Sequence, residues 1–596
     1  MYSDKDILNL LVKKGVISKE KAKELFINKE SLVNRLVVKR KKAGLSIGAH
    51  RPTIVDVLAD YGLTRVDGKK EKLTEDDIYE IFAEQIGFEY KKIDPLKLDL
   101  KLVTNTVHKS FAMKNLVLPL EVIDGCLYVA MPEPYNTEVI DDLKRVVQMP
   151  IKPLMSSKTD VIKNIKEIYG FQSSIAAAEN QFSGSNVDLG NLEQYVKLKS
   201  MDELPSTDHH IINAVNHLFT YSFDQRASDI HIEPMREETV IRMRIDGVLH
   251  IVYKLNKKVH NAIVSRIKAM SRLDMAEKRR PQDGRIKTDA GGVEVEIRVS
   301  TIPVAFGEKV VMRVLHPDTM FQDLPNLGFS EYSLRQYNHF IQMPHGIILV
   351  TGPTGSGKST TLYSTLRTIA SPEINITTVE DPIEMVHEGF NQIAVQPAIN
   401  ITFGSILRNI LRQDPDVIMI GEMRDLITAE NAAQAAMTGH LVLSTLHTND
   451  AASAIIRLLD LGVPAYIIQA TLIGVMAQRL VRRICPHCKE PFEVDSEKIS
   501  DLGVAVDDGG TLTLYKGAGC VKCRNTGYLG RIAIFEVLEF TDEIRALTTA
   551  ETDVNLVKRT AIASGMQTLR DDAVAKMLAG ETTYQEVLKV TWGADA

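Results

Sequence analysis

The sequence predicts a multidomain α/β chain whose largest domain is an open parallel sheet, and three observations carry that prediction. At 596 residues the chain is too long for a single hydrophobic core. An apolar run, Gly346-Ile347-Ile348-Leu349-Val350, leads into Gly352-Pro353-Thr354-Gly355-Ser356-Gly357-Lys358-Ser359-Thr360 and then into a helical run from Leu362 to Ala370. Further apolar runs follow at α/β spacing, and beyond them come two Cys-x-x-Cys pairs. Charged residues make up 25% and hydrophobic residues 44%, as in soluble globular proteins. A net charge of −6 and a pI near 6.2 supply no basic field to draw nucleic acid. The start, Met1-Tyr2-Ser3-Asp4-Lys5-Asp6, has no cationic n-region before a long apolar stretch, so a cytoplasmic chain is expected.

Residues 1–90 read as short amphipathic helices with a weak internal repeat. Ile7, Leu11 and Gly15 recur in spacing as Ile54, Leu58 and Gly62, and an N-cap (Ser18, Thr74) opens another helix after each set. Between the copies, Lys39-Arg40-Lys41-Lys42 reads as a solvated helix face. In residues 91–170, β-like runs (Val117 to Val122, Leu127 to Met131) alternate with helical runs (Glu138 to Val147, Thr159 to Ile168), as a small α/β domain requires. Residues 171–205, rich in Ser, Asn, Gln and Gly, read as a flexible linker. Residues 206–316 form a second α/β block, with a helix near Ile211 to Phe223 and strands Thr239 to Ile245, Val293 to Val299 and Lys309 to Val314. It carries Arg226, Arg236, Arg242, Arg244, Arg279, Arg280, Arg285, Arg298 and Arg313, most of them expected to form salt bridges on a sheet face. Residues 317–330, with Pro317 and Pro325, read as a hinge into a domain spanning 331–596. The longest weakly polar stretch, Val463 to Ala477, falls short of the roughly 20 apolar residues that a membrane span needs.

The chemistry starts at the glycine loop. In G-x-x-x-x-G-K-S, backbone N–H groups curl around phosphate oxygens, Lys358 supplies charge to the β and γ phosphates, and Ser359 offers a hydroxyl to Mg²⁺. Three more strand-like runs end in polar groups: Ile374 to Val379 in Glu380, Val417 to Ile420 in Gly421-Glu422, and Leu441 to Leu446 in His447. Ligands collect at the carboxyl ends of parallel strands, so these groups should meet the phosphates of ATP. Hydrolysis needs one carboxylate for the attacking water and another for the Mg²⁺ shell, tasks that suit Glu380 and Glu422. His447 could sense the γ phosphate or merely cap its loop. Cys485, Cys488, Cys520 and Cys523 can satisfy one tetrahedral Zn²⁺ and staple a lobe over 484–531.

Thr351 to Thr361, Thr378 to Glu384, Arg412 to Asp425 and Thr438 to Asp450 resemble the four motifs of the secretion ATPases, the GspE/PilB family, which power type II secretion and type IV pilus assembly. Ala227 to Pro234 and Arg280 to Arg285 resemble that family's preceding domain. The resemblance implies a RecA-like P-loop ATPase domain with a Cys₄ zinc lobe, preceded by a PAS-like α/β domain and an N-terminal docking domain. It also implies that Glu380 is the catalytic glutamate, Glu422 the Walker B glutamate, His440 and His447 the histidine box, and Arg298 and Arg313 the arginine fingers. By the same resemblance the chain is a homo-hexamer, peripherally associated with the inner membrane through a platform protein, that uses ATP, Mg²⁺ and Zn²⁺ and no nucleic acid. A Cys₄ lobe favours assembly or export over retraction. A nucleic-acid translocase and a nucleotide-gated scaffold without turnover are the competing readings.

The repeat within residues 1–90 resembles the family's cyclic-di-GMP-binding domain, whose copies open with Arg-Leu-Gly and close with Gln. Here the openings are Asp6-Ile7-Leu8 and Thr53-Ile54-Val55, and only Gln85 is retained. That pattern leaves dinucleotide binding doubtful and makes partner docking the expectation for this region.

Overall fold

The computed structural model describes residues 4–42, 52–61, 73–94, 100–166, 206–290, 292–495 and 511–591, together with residues 63, 98, 168, 169 and 175. At the amino end, the helices Asp4–Lys13 and Ile54–Tyr61 carry the two copies of the repeat. Their apolar positions form one core, with Leu8, Leu11, Ile54 and Leu58 all buried. Ser18 and Thr74 cap the helices Lys19–Ile27 and Glu75–Ile86 by accepting N–H groups in the first turn. Gly62 and the side chains of Lys39 to Lys42 lie outside the described residues.

Strand β1 (Leu118–Ile123) runs antiparallel to β2 (Cys126–Met131), which runs parallel to β3 (Ile151–Met155). The helix Thr137–Val147 makes the crossover between β2 and β3. The sequence reading did not assign β3, because Pro153 interrupts it; a proline is tolerated there because β3 is the last strand in the sheet order. Residues 176–205, most of the expected linker, lie outside the described residues, whereas Ile175 is buried in the core of the next sheet.

That sheet has six antiparallel strands in the order β6-β5-β4-β9-β8-β7. They are β4 (Ala227–Pro234), β5 (Glu238–Ile245), β6 (Val248–Asn256), β7 (Gln282–Ala290), β8 (Val293–Val304) and β9 (Gly307–Leu315). Helices Ser206–Asp224 and His260–Met270 bury Val215, Leu218, Ile263 and Ile267 against it. The segment expected to be a hinge has structure of its own. It forms a helical turn, Pro317–Met320, and a 3₁₀ turn, Leu324–Leu327, whose Met320, Leu324 and Leu327 enter the core of the following domain.

The third sheet holds seven strands in the order β12-β11-β13-β14-β10-β15-β18. They are β10 (Gly346–Thr351), β11 (Ile376–Glu380), β12 (Asn391–Ala394), β13 (Val417–Ile420), β14 (Leu441–Leu446), β15 (Leu472–Ile484) and β18 (Tyr528–Glu539). All pairings are parallel except that of β15 with β18. Every residue of β10, β11, β13 and β14 is buried, the condition under which parallel strands read as unbroken apolar runs. The stretch Val463 to Ala477 divides into the helix Ala465–Thr471 and the start of β15. Among the described residues no helix is long and apolar enough to cross a membrane. A two-stranded ribbon, β16 (Lys489–Asp495) with β17 (Thr511–Gly517), projects between β15 and β18.

Candidate active site

Strand register brings the predicted groups to one edge. Thr351, the last residue of β10, pairs with Leu446 of β14, and Ile420 of β13 pairs with both Ser444 and Val379 of β11. Glu380, Glu422 and His447 therefore stand at the carboxyl ends of their strands, on the same edge of the sheet as the glycine loop, with Glu380 farthest from it because β13 and β14 lie between β11 and β10. Gly352 and Gly357 are needed for two reasons: both have positive φ (146° and 94°), and a Cβ on either would strike Gln478, 2.4 Å from its carbonyl oxygen or 2.7 Å from its amide nitrogen. The helix Lys358–Ile369 starts four residues before the helical run expected from Leu362, with Gly357 as its N-cap.

Lys358 Nζ donates to the carbonyl oxygens of Gly352 (2.7 Å) and Pro353 (3.2 Å). Burial lowers its pKa; Glu422 opposes that shift and Arg479 adds to it. Ser356 is 3% exposed and its Oγ is buried without a hydrogen-bond partner. A buried hydroxyl left open inside a glycine loop suits a phosphate oxygen, so the residues present accommodate the nucleotide that the loop implies. Glu422 accepts from Arg424 Nε at 2.7 Å, and His447 Nε2 lies 3.4 Å from its other oxygen. Arg424 also stands 3.7 Å from Asp381. Asp425 serves as N-cap of the helix Leu426–Met437 and accepts from Thr428 N–H. His440 is set apart from His447, because it precedes β14 at the far end and bonds Ala435 O at 2.8 Å.

Glu380 is only 3% exposed, and its carboxylate is saturated. Tyr363 O–H donates to Oε2 at 2.5 Å and Glu384 N–H at 3.2 Å; Thr378 O–H donates to Oε1 at 2.6 Å and Gln392 Nε2 at 3.2 Å. Burial and the charge of Glu380 push the Tyr363 phenol far above its ordinary range, so it remains a donor. Tyr363 and Gln392 belong to no motif. Only their contact with Glu380 singles them out.

A cross-strand row on the six-stranded sheet lies near this edge. Register places Arg285 opposite Arg298, Arg298 opposite Arg313, Arg313 opposite Asp229, and Asp229 opposite Arg244. Arginines set side by side repel unless acids face them. Arg313 Nε pairs with Asp229 at 3.0 Å within its own sheet, while Arg298 leaves its sheet. Arg298 reaches Glu384 at 3.0 Å and donates to the Ile383 carbonyl, in the loop that follows Glu380.

At the end of β15, Cys485 Sγ lies 3.7 Å from Cys520 Sγ, and Cys488 Sγ lies 3.7 Å from Cys523 Sγ. All four sulfurs lie within 4.8 Å of one another. A Zn–S bond of about 2.3 Å gives a tetrahedral S···S edge of about 3.8 Å, so the spacing fits that ion. Cys523 Sγ also accepts from Cys520 N–H and Gly527 N–H. Next to the cluster, Arg524 reaches back to the second sheet, bonding Gln225 at 3.0 Å with Asp246 at 3.6 Å.

Residues 205–589 match the model of the type II/IV secretion system protein family, and residues 86–175 match the model of the MshEN domain. The second match falls on the unit around β1–β3 and meets the 1–90 region only at its last residues. Physically the repeat is a helical core motif, since Leu8, Ile54 and Val55 at its openings are all buried. The type IV pilus assembly ATPase TfpB of Acinetobacter baylyi is 41% identical over 510 residues, covering 85% of this chain and 87% of that protein. The type II secretion system protein E of Dickeya dadantii is 42% identical over 483 residues, 80% of this chain and 95% of that one. Among solved structures, the ATPase DotB of Yersinia pseudotuberculosis aligns with a TM-score of 0.49 at 23% identity, over 66% of this chain and 97% of that one. With the family model running through the second sheet and the glycine-loop domain alike, and with relatives of this identity along most of both chains, this chain belongs to the type II/IV secretion system protein family, among its GspE/PilB motor ATPases.

Proposed function

We propose that the chain works as a cytoplasmic homo-hexamer, docked on an inner-membrane platform protein, that converts MgATP hydrolysis into displacement for type IV pilus assembly or type II secretion. The observation that carries this reading is the convergence of the glycine loop, Glu380, Glu422 and His447 at one sheet edge, with Arg298 reaching that edge from the neighbouring sheet. The names of the two relatives supply the two cargo systems.

Lys358 exchanges its loop carbonyls for phosphate oxygens, and the Ser356 hydroxyl gains the partner it lacks. Mg²⁺, when bound with ATP, neutralises charge on the β and γ oxygens, and Ser359 and Glu422 would hold it. Glu380 orients and deprotonates the attacking water, which requires it to give up a contact to Tyr363 or Gln392. His447 reports the γ phosphate through Glu422, and Arg298 and Arg313 oppose the charge of the transferring phosphoryl group. Cys485, Cys488, Cys520 and Cys523 would hold one Zn²⁺ that braces the ribbon β16–β17. The repeat region at residues 1–90 docks a protein partner.

The test is the purified full chain assayed for MgATP turnover and solution mass, with and without single-stranded DNA. A six-chain particle that hydrolyses ATP at a rate indifferent to DNA is expected. No turnover by the assembled particle would sink the motor, and several-fold stimulation by DNA would make it a nucleic-acid translocase.

A further inference from the structure

Four arginines of the two larger sheets and their loops differ in one respect. Arg298, Arg424 and Arg482 each pair with an acid: Glu384, Glu422 and Glu586. Arg479 Nη2 instead donates to Asn449, at 3.1 Å to the carbonyl and 3.0 Å to the side-chain oxygen, both neutral acceptors. The acids nearest to it are committed elsewhere. Asp450 caps Ser453 N–H, and Glu536 accepts from Ala451 N–H and Leu569 N–H.

Its place in the fold is set by register. Thr351 of β10 pairs with Ala477 of β15, so the backbone of Gln478 and Arg479 runs on alongside Gly352 and Pro353, with the Gln478 side chain against the glycine loop and the Arg479 side chain at Asn449 in the neighbouring loop. Arg479 is partly buried, and it is close enough to Lys358 to add to the burial that weakens that residue's hold on its proton. Two partly desolvated cations this near each other repel, and a polyphosphate reached by both would convert that repulsion into binding. A guanidinium suits the task because it stays charged and its fork matches phosphate oxygens.

We propose that Arg479 is a further nucleotide-contacting residue, which leaves Asn449 to bind the polyphosphate of the ATP held by its own subunit. Asn449 lies in the loop His447 to Ala451, tied to Glu422 through His447, to Thr351 through Thr448 and to Glu536 through Ala451. Arrival of the nucleotide thereby frees one anchor of the loop that carries the histidine. The inference rests on the nucleotide reading above.

The experiment compares wild type, Arg479→Gln, Arg479→Lys and Asn449→Ala as full chains, measuring ATP affinity with a fluorescent ATP analogue, MgATP turnover and melting temperature. Loss of a charged phosphate contact should weaken ATP binding by about ten- to a hundredfold in Arg479→Gln. Arg479→Lys should recover much of that loss. Asn449→Ala should bind ATP as tightly as wild type or more tightly, because its arginine is already released. If the two residues merely brace each other, Arg479→Gln and Asn449→Ala will lose affinity equally, and the proposal falls. It falls also if Arg479→Gln binds within twofold of wild type, or if, with Arg479→Gln unfolded, Arg479→Lys and Asn449→Ala weaken alike. Failure of wild type itself to bind ATP would instead overturn the nucleotide reading.

Discussion

Replacing Glu380 by Gln separates catalysis from folding, and the structure sets the size of each effect. The carboxylate receives four donors, and two of them, the Thr378 and Tyr363 hydroxyls, can rotate to accept from an amide instead. With the amide nitrogen at the Oε1 position, the Gln392 contact at 3.2 Å is lost; at the Oε2 position, the Glu384 N–H contact at 3.2 Å is lost. Either orientation gives up one long hydrogen bond and no packing, a loss of about 1–3 kcal/mol, which relief from burying a charge partly offsets. The melting temperature should therefore fall by only a few degrees. Turnover depends instead on a base that the amide cannot supply, a contribution of about 10²- to 10⁴-fold. ATP affinity, turnover and melting temperature measured on one preparation should show a near-native protein that binds and does not hydrolyse. Turnover within threefold of wild type, with binding intact, would reduce Glu380 to a structural acid closing a buried network.

Lys358→Ala should abolish ATP binding, measured with the same analogue. Burial depresses the Lys358 ammonium and the phosphates draw it back up, so wild-type affinity should decline as pH rises through that lowered value. Elemental analysis should find one zinc per chain in wild type. Cys520→Ser should lose the metal, whose contribution to such lobes is about 10 kcal/mol, and hydrogen exchange should report local unfolding across residues 484–531. Arg298→Ala and Arg313→Ala should each lower turnover at least about tenfold while ATP affinity stays within a few-fold. Mutants that lose thermal stability but keep their turnover per folded molecule would show these arginines only bracing the sheet.

Legibility in the sequence followed burial. Strands β13 and β14 were readable to the residue because both faces are covered and the apolar run stops where the strand stops. Strand β15 hid itself: its first residues continue the apolar stretch of the helix before it, and its later ones, Arg479, Arg482 and Arg483, are partly exposed along the edge pair with β18. Strand β12 is short, and its polar Asn391 and Gln392 suit the sheet edge it occupies. Glu380, Glu422 and His447 were foreseeable as strand-end groups. Arg479, Gln478, Tyr363 and Gln392 were not, since they reach the site through sheet register and side-chain contact, which no local pattern encodes. His440 fell in a motif yet stands at the wrong end of β14, because the strand's length intervenes.

Strand β15 begins beside the glycine loop's own strand and ends next to the first residue of the four-cysteine cluster, so Arg479 and Cys485 are six residues apart on one extended segment. At about 3.3 Å per residue that is a reach of about 20 Å. Strand β18 holds the segment in register from Gly474 to Arg482, and the register shifts before Ile484. A ladder of this kind is stiff in tension: it can tilt as a beam, but it cannot stretch without breaking bonds in sequence. Between Gly474 and Arg482 the segment is therefore a stiff link, and a pull applied at Arg482 would reach Gln478 along the strand.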